Sequence, residues 1–394
     1  MQLILKKIFN FMILLICFPI SLIIVLISNI ILIRFGIVFG EKIGHLSADT
    51  EAYLLRKKIS NINSIDIITI TKNICNKSLL ELWKKKISIY QNRRIILSLL
   101  YCCRIISQNN KHTVNLFANF EDYYLFNKYR SSIEFEEKDK ESLALFFKHY
   151  NLNKNSNYIC IHNRDNSYHK KNLAEIDLSY HSHRNFGINN LVDACEKIIE
   201  KDYTVIRMGR ESSSAIKENT KIIDYSKSNL KSEILDLLLI SQCNYYVGSD
   251  SGLWGVASLF RKPIIWTNIT SLKNLQIVNY SPLFFILKHF YSLDLKRNLS
   301  IEELFNESLL DLDNEKKLKE KNIILIENTK DEIEEIVYEM FLYQNNLVIY
   351  TEEDKKIQNL FWNKLNKYLP ISKNKYDNFR IGRKFLDNNL YLIN

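Results

Sequence analysis

Several short stretches of this chain carry residue types that do chemistry. Val247-Gly248-Ser249-Asp250-Ser251-Gly252-Leu253 follows an apolar run and opens a helical pattern. Backbone N–H groups at such a start, with small residues that admit close approach and hydroxyls that add donors, suit a phosphate or a ribose. A tight strand-to-helix turn capped by serine uses the same residues, so the motif alone leaves both readings open. It is neither GxGxxG nor a Walker loop, because no Gly-Lys-Ser/Thr follows. Glycine is scarce, 9 in 394 residues, so its clustering here points to a backbone requirement.

His162-Asn163-Arg164-Asp165 and Arg207-Met208-Gly209-Arg210 each follow a β-like run. In open α/β sheets ligands bind beyond the carboxyl ends of strands, where an arginine offers a planar fork for phosphate. An Arg164–Asp165 surface pair is the bland alternative. With Arg184, in the loop Tyr180-His181-Ser182-His183-Arg184-Asn185, these arginines would line a cationic cleft. The two histidines of that loop lack a third metal ligand at sensible spacing, so no zinc site is expected. Gly44-His45, with Asp49 and Glu51, places an imidazole where it could serve as a general base, or merely cap or pack the turn.

These residues need elements to hold them. Ile30 to Val38 reads as a strand, and Ala48 to Ile59 as a helix with Ser47 as its N-cap. Asp66 to Ile70 reads as a second strand. Residues 75–150 alternate helical and aromatic stretches without a secure order. From 151 onward, strands at 158–162, 203–208, 222–225, 244–247 and 263–267 alternate with helices at 188–201, 232–241 and 252–260. That alternation predicts a parallel sheet covered by helices. After 300 the pattern turns helical, at 301–305, 331–344 and 352–368.

Composition excludes several classes. Apolar residues make up 46% and charged residues 25%, which rules out a disordered chain, a collagen-like chain and a polytopic transporter. The net charge of +10 favours anionic partners. Lysines lie dispersed among acids and no RRM, KH or helix-turn-helix signature appears, so nucleic acid is not expected as a partner. The 7 cysteines include no CxxC and read as reduced thiols of a cytosolic body.

Ile8 to Ile33 carries no charge, with Lys6 and Lys7 before it and Arg34 after it. About 20 apolar residues span a bilayer. The run is too long for a signal-peptide core and lacks a small-residue cleavage site. A single span and a Pro19-kinked hairpin in one leaflet both fit. The basic residues after the run favour a body on the inner side.

Taken in order, IGHLSADTEAYL (43–54), HNRD (162–165), HRN (183–185), YTVIRMG (203–209), IIDYSKS (222–228) and GSDSGLWGVASLFRKPIIWTN (248–268) resemble the glycosyltransferases encoded in bacterial O-antigen and capsule loci. A weaker echo is RIGRKFLDNN (380–389). The second half is also similar to the fucosyltransferase-like GT-B superfamily, although His162-Asn163-Arg164-Asp165 carries fewer arginines than the fork those enzymes often show. The resemblance implies a GT-B fold: two Rossmann-like α/β domains facing a cleft, with an N-terminal membrane segment and C-terminal helices.

The expected boundaries are a membrane anchor at 1–29, an acceptor-side domain at 30–150, a nucleotide-sugar domain at 151–330 and C-terminal helices at 331–394. By position, the resemblance puts His162, Arg164, Arg184 and Arg207 with Gly209 at the donor diphosphate. Gly248, Ser249, Ser251 and Gly252 would hold phosphate or ribose, Asp224 and Tyr225 would lie by base or ribose, and His45 and Glu51 would face the acceptor. It implies a metal-independent hexosyl- or deoxyhexosyltransferase with no cofactor. Such an enzyme would work on the cytosolic face of the bacterial inner membrane, moving sugar from a nucleotide-sugar to a lipid-linked glycan. The alternative is a membrane-tethered nucleotide- or carbohydrate-binding protein without turnover.

Overall fold

The computed structural model describes residues 2–165, 179–209, 216, 222–278, 280, 282–312, 314–369 and 378–394. The chain divides into two compact units, Met1–Ala118 with Tyr129–Glu134, and Asn119–Lys128 with Phe135–Asn394.

The first unit opens with helix α1 (Gln2–Leu26), a short turn Ile27–Asn29 and strand β1 (Leu32–Val38). Helix α2 (Thr50–Ile59), strand β2 (Ser64–Ile70), helix α3 (Lys77–Lys84), strand β3 (Ile89–Tyr90) and helix α4 (Arg93–Ser107) follow. The strands form a parallel sheet in the order β1-β2-β3. Arg34 on β1 faces Asp66 on β2 in register and grips it through two hydrogen bonds of 2.8 and 2.9 Å. Tyr53 and Lys57 of α2 reach the same carboxylate at 2.7 and 3.1 Å, locking helix to sheet. Burial alone would raise the Asp66 pKa, but these partners outweigh it and hold the carboxyl at about 2.

Two expectations change here. Ile30 and Ile31 do not join β1, because the chain leaves α1 through the 27–29 turn. Nor does Ser47 cap a helix that starts at Ala48. The chain is already helical at Ile43, and a wide π-type turn, His45–Asp49, runs into α2. The Ser47 hydroxyl donates back to the Ile43 carbonyl at 2.7 Å, the bond that competes with capping when serine sits inside a helix.

The second unit is built on a seven-stranded, all-parallel sheet ordered β13-β9-β8-β7-β4-β5-β6. Its strands are β4 (Tyr158–Ile161), β5 (Thr204–Arg207), β6 (Ile222–Ile223), β7 (Tyr246–Gly248), β8 (Ile264–Ile269), β9 (Leu283–Leu287) and β13 (Phe379–Ile381). Every residue of β4, β7, β8 and β9 is buried, as a parallel sheet covered on both faces requires. A small antiparallel sheet adds β10 (His289–Ser292), β11 (Arg297–Asn298) and β12 (Ile323–Ile326). The C-terminal stretch contains the expected helices Lys330–Gln344 and Glu352–Tyr368, and it also supplies β13.

Candidate active site

In chain order, β4 to β9 occupy the sheet as 3-2-1-4-5-6, the doubly wound Rossmann arrangement. Chain order reverses between β4 and β7. At such a switch point the connections leave in opposite directions and open a crevice beyond the strand ends. His162 to Arg164 continue β4, and Ser249 to Ser251 continue β7, so these two motifs flank that crevice from either side.

The turn after β7 is tightly built. A Cβ on Gly248 would lie 2.6 Å from the Tyr246 hydroxyl and 3.0 Å from the His162 carbonyl oxygen, so only glycine fits. Ser251 Oγ lies 3.2 Å from His162 Nδ1. Burial lowers the His162 pKa to about 4, so the imidazole is neutral near pH 7. Ser249 is fully buried, and its hydroxyl has no hydrogen-bond partner among the described residues. A buried hydroxyl left over at a strand end is a donor available to a ligand.

Cations converge on the same edge. Arg164 is buried and hydrogen-bonds the Asn185 side chain. Arg184 pairs through Nε with Asp250 Oδ1 at 3.2 Å and also reaches the Asp250 carbonyl. Lys288 follows β9, is buried, and donates to the Asn185 carbonyl at 2.6 Å. Asn185 therefore ties Arg164 and Lys288 together. Burial, then the neighbouring Arg184, pushes Arg164 down to about 10, and burial lowers Lys288. Positive charges held together out of water are destabilised, and an arriving anion relieves that cost.

Asp250 is the counter-charge inside the motif, held by Arg184 and by Asn274 Nδ2 at 2.7 Å. Arg207 is 1% exposed and braced by Asn163 Oδ1 at 3.0 Å and Asp224 Oδ2 at 3.3 Å. It thereby links the ends of β4, β5 and β6. Gly209 follows at φ 139°, a conformation that favours glycine. Arg210 lies outside the described residues.

The remaining expected residues separate. Tyr225 is fully buried and donates to Asp236 at 2.8 Å, edge-on to Phe146. Gly252 is exposed, with an ordinary helical φ of −57°. In the first unit Glu51 is fully buried, and both its oxygens accept the Ser132 N–H, at 3.1 and 3.3 Å. His45 lies after β1, half-exposed, with Nδ1 2.8 Å from Asp49 Oδ2. A carboxylate only accepts, so Nδ1 carries the hydrogen, and in the neutral imidazole the free lone pair is therefore on Nε2. The other Asp49 oxygen accepts the Ala118 N–H at 3.1 Å, and Phe117 meets the imidazole edge-on at 5.7 Å. This is a histidine oriented by a fixed acid.

Among the described residues, no group of three or more His, Cys, Asp or Glu side chains gathers as a metal site.

No family model matches the chain, and no curated protein matches it. Solved structures with a similar fold include the E. coli ADP-heptose LPS heptosyltransferase II, 11% identical, with TM-score 0.32 over 59% of this chain and 84% of that one. A glycosyl transferase family 9 protein from Veillonella parvula is 14% identical, with TM-score 0.33 over 59% and 80%. S. aureus MnaA, in a UDP co-structure, is 9% identical, with TM-score 0.33 over 80% and 98%. The residues at the strand ends, rather than these distant likenesses, carry the functional reading.

The sequence missed Lys288 as a member of the site, and Asp250 as the internal counter-ion. The available signal for Lys288 was its place immediately after the apolar run Leu283–Leu287.

Proposed function

We propose that this protein is a membrane-associated glycosyltransferase of GT-B type, moving a sugar from a nucleotide-sugar donor to a lipid-linked glycan. The observation that carries the proposal is the convergence of Arg164, Arg184 and Lys288 beside the β4–β7 switch point, where an unpartnered Ser249 hydroxyl waits at the strand end. This edge suits a diphosphate: fixed positive charge and hydroxyl donors, partly desolvated, where charge develops as a nucleotide leaves.

The chemistry then follows from named atoms. The acceptor hydroxyl oxygen attacks the anomeric carbon. The bond from that carbon to the diphosphate oxygen breaks, and its electron pair leaves with the nucleotide. Arg164, Arg184 and Lys288 stabilise that leaving charge, and Arg207 positions the Asn163 and Asp224 ends. His45 Nε2 takes the acceptor proton, and Asp49 stabilises the imidazolium that forms. In this reading the first unit serves the acceptor and the second the donor. Protein cations do the work a metal does in other transferases, so the reaction needs no metal or cofactor. The apolar stretch Ile8–Asn29, with an 18-residue window of mean hydropathy 3.0, associates the enzyme with the bacterial inner membrane on its cytosolic side.

The test is a screen of UDP-, GDP-, ADP-, CMP- and dTDP-sugars with membranes carrying lipid-linked glycans, reading nucleotide release and sugar incorporation. One donor giving both, insensitive to chelation, is the expected result. Saturable nucleotide binding without any turnover supports the non-catalytic alternative instead.

A further inference from the structure

Helix α1 does not stand free of the first unit. Cys17 Sγ lies 3.9 Å from the Ile95 carbonyl, Ser21 Oγ donates to the Leu99 carbonyl at 3.2 Å, and Lys111 reaches Ser28 at 2.7 Å. The residue numbers rise together, so α1 runs parallel to α4. Cys17, Ser21 and Ile24 are buried, the i, i+4, i+7 stripe of a docked helix. Ile24 belongs to one apolar cluster with Phe35 of β1 and Ile96 and Cys103 of α4.

The direction of α4 is fixed too. Arg93 follows β3, whose Tyr90 pairs with Thr69 near the end of β2. Past its other end, His112 bonds Ile33 and Phe35 early in β1. Hence α4 starts at the carboxyl edge of the sheet. The part of α1 that precedes Cys17 projects beyond that edge, the edge from which β1 leads to His45.

A bilayer span cannot use the docked half of α1, because α4 and the sheet would have to enter the hydrocarbon with it. The apolar residues left over run from Ile8 to Ile16, which at ~1.5 Å per residue is about 14 Å, roughly half of a ~30 Å hydrocarbon core. Within this segment Phe11 and Ile16 are 61% and 64% exposed. Cations gather at its start. Lys6 and Lys7 precede it in the sequence. Arg93 and Arg94 are exposed at the α4 start, with the Arg94 guanidinium 5.7 Å from the Phe9 ring centre. Long basic side chains at such positions extend to anionic headgroups.

We infer that α1 enters only one leaflet, slanted, with Ile8–Ile16 among acyl chains and Arg93 and Arg94 on anionic lipid headgroups. This holds the His45 edge of the first unit at the lipid surface. The inference rests on the membrane reading above and names its geometry and its lipid.

The full chain carrying one epitope tag at each end tests it. In sealed membrane vesicles of either orientation, added protease removes both tags from the same side. Tags removed from opposite sides mean a span and overturn the inference. So does a chain that stays soluble. Donor-dependent nucleotide release, measured on the same samples, shows separately whether the enzymatic reading survives. The double variant Arg93→Gln/Arg94→Gln, both exposed, should float with phosphatidylglycerol-containing vesicles roughly tenfold more weakly. Its binding to phosphatidylcholine vesicles and its donor hydrolysis should stay unchanged. Unaltered flotation on phosphatidylglycerol overturns the headgroup contact.

Discussion

The two units use the same position, the carboxyl edge of a parallel sheet, for opposite electrostatic ends. After β1 stands His45, half-exposed, with Asp49 at 2.8 Å. After β4 and β9 stand Arg164 and Lys288, buried and tied through Asn185. A titratable group left near water can exchange a proton. Cations drawn out of water are poorly solvated, and an anion that reaches them is attracted more strongly than it would be in water. Topology supplies the place; burial decides whether the place moves protons or binds anions.

Breaking the proton-handling side should have the largest effect. His45→Ala is expected to lower sugar transfer by roughly 10²–10⁴-fold, with donor affinity by calorimetry unchanged. Asp49→Asn should lower transfer less and also leave donor affinity alone. If His45→Ala loses donor binding instead, the division of labour between the units is wrong.

The anion-holding side should respond in affinity. Arg184→Ala is expected to weaken nucleotide-diphosphate binding by roughly tenfold to a hundredfold, since a charge-assisted hydrogen bond contributes about 1.5–3 kcal/mol. Gly248→Ala tests the turn that shapes the crevice. Its new methyl group would meet the His162 carbonyl at 3.0 Å, and overpacking of this kind costs about 1–3 kcal/mol. The exposed Gly252→Ala should leave the melting temperature nearly unchanged. Equal losses in the two variants would show that the crowding at Gly248 is unimportant.

Acid should separate the units by pH window, the smallest of these effects. The pKa of His162 is 6.5 ordinarily and about 4 when folded. Between those values the unfolded chain binds a proton that the folded chain refuses, so stability falls as pH drops from 6.5 toward 4. Asp66, at 3.8 ordinarily and about 2 when folded, contributes stability above pH 3.8 that is lost only as pH falls toward 2. Thermal melts of His162→Gln against pH should show the first loss flattened and the second intact.

Much of this was legible in the sequence because it is local. Apolar-rich runs of three or four residues leading into His162, Arg207 and Gly248 announced buried parallel strands, and the strand order put the first and last of these motifs side by side. What the sequence hid depends on distant partners. Lys288 joins the site through Asn185, 103 residues away. Glu51, expected to face the acceptor, is buried and accepts from the Ser132 N–H, 81 residues on. Tyr225 sits under the sheet edge on Asp236 and Phe146. The apolar α1 looked like a free membrane segment because its contacts with α4 lie 78 residues away. Neither periodicity nor composition reports such pairings.

The central claim, that the strand-end cations of the second unit hold a donor diphosphate, is tested most directly at Lys288, which no sequence motif marks. Calorimetric titration of the folded wild-type chain and of Lys288→Met with the nucleotide-sugars above, and with their free nucleoside diphosphates, should show at least one tight ligand for the wild type. The variant should bind it roughly tenfold or more weakly, and should lose less for the corresponding monophosphate. Equal affinity of the two proteins for every diphosphate, with both correctly folded, would contradict the account.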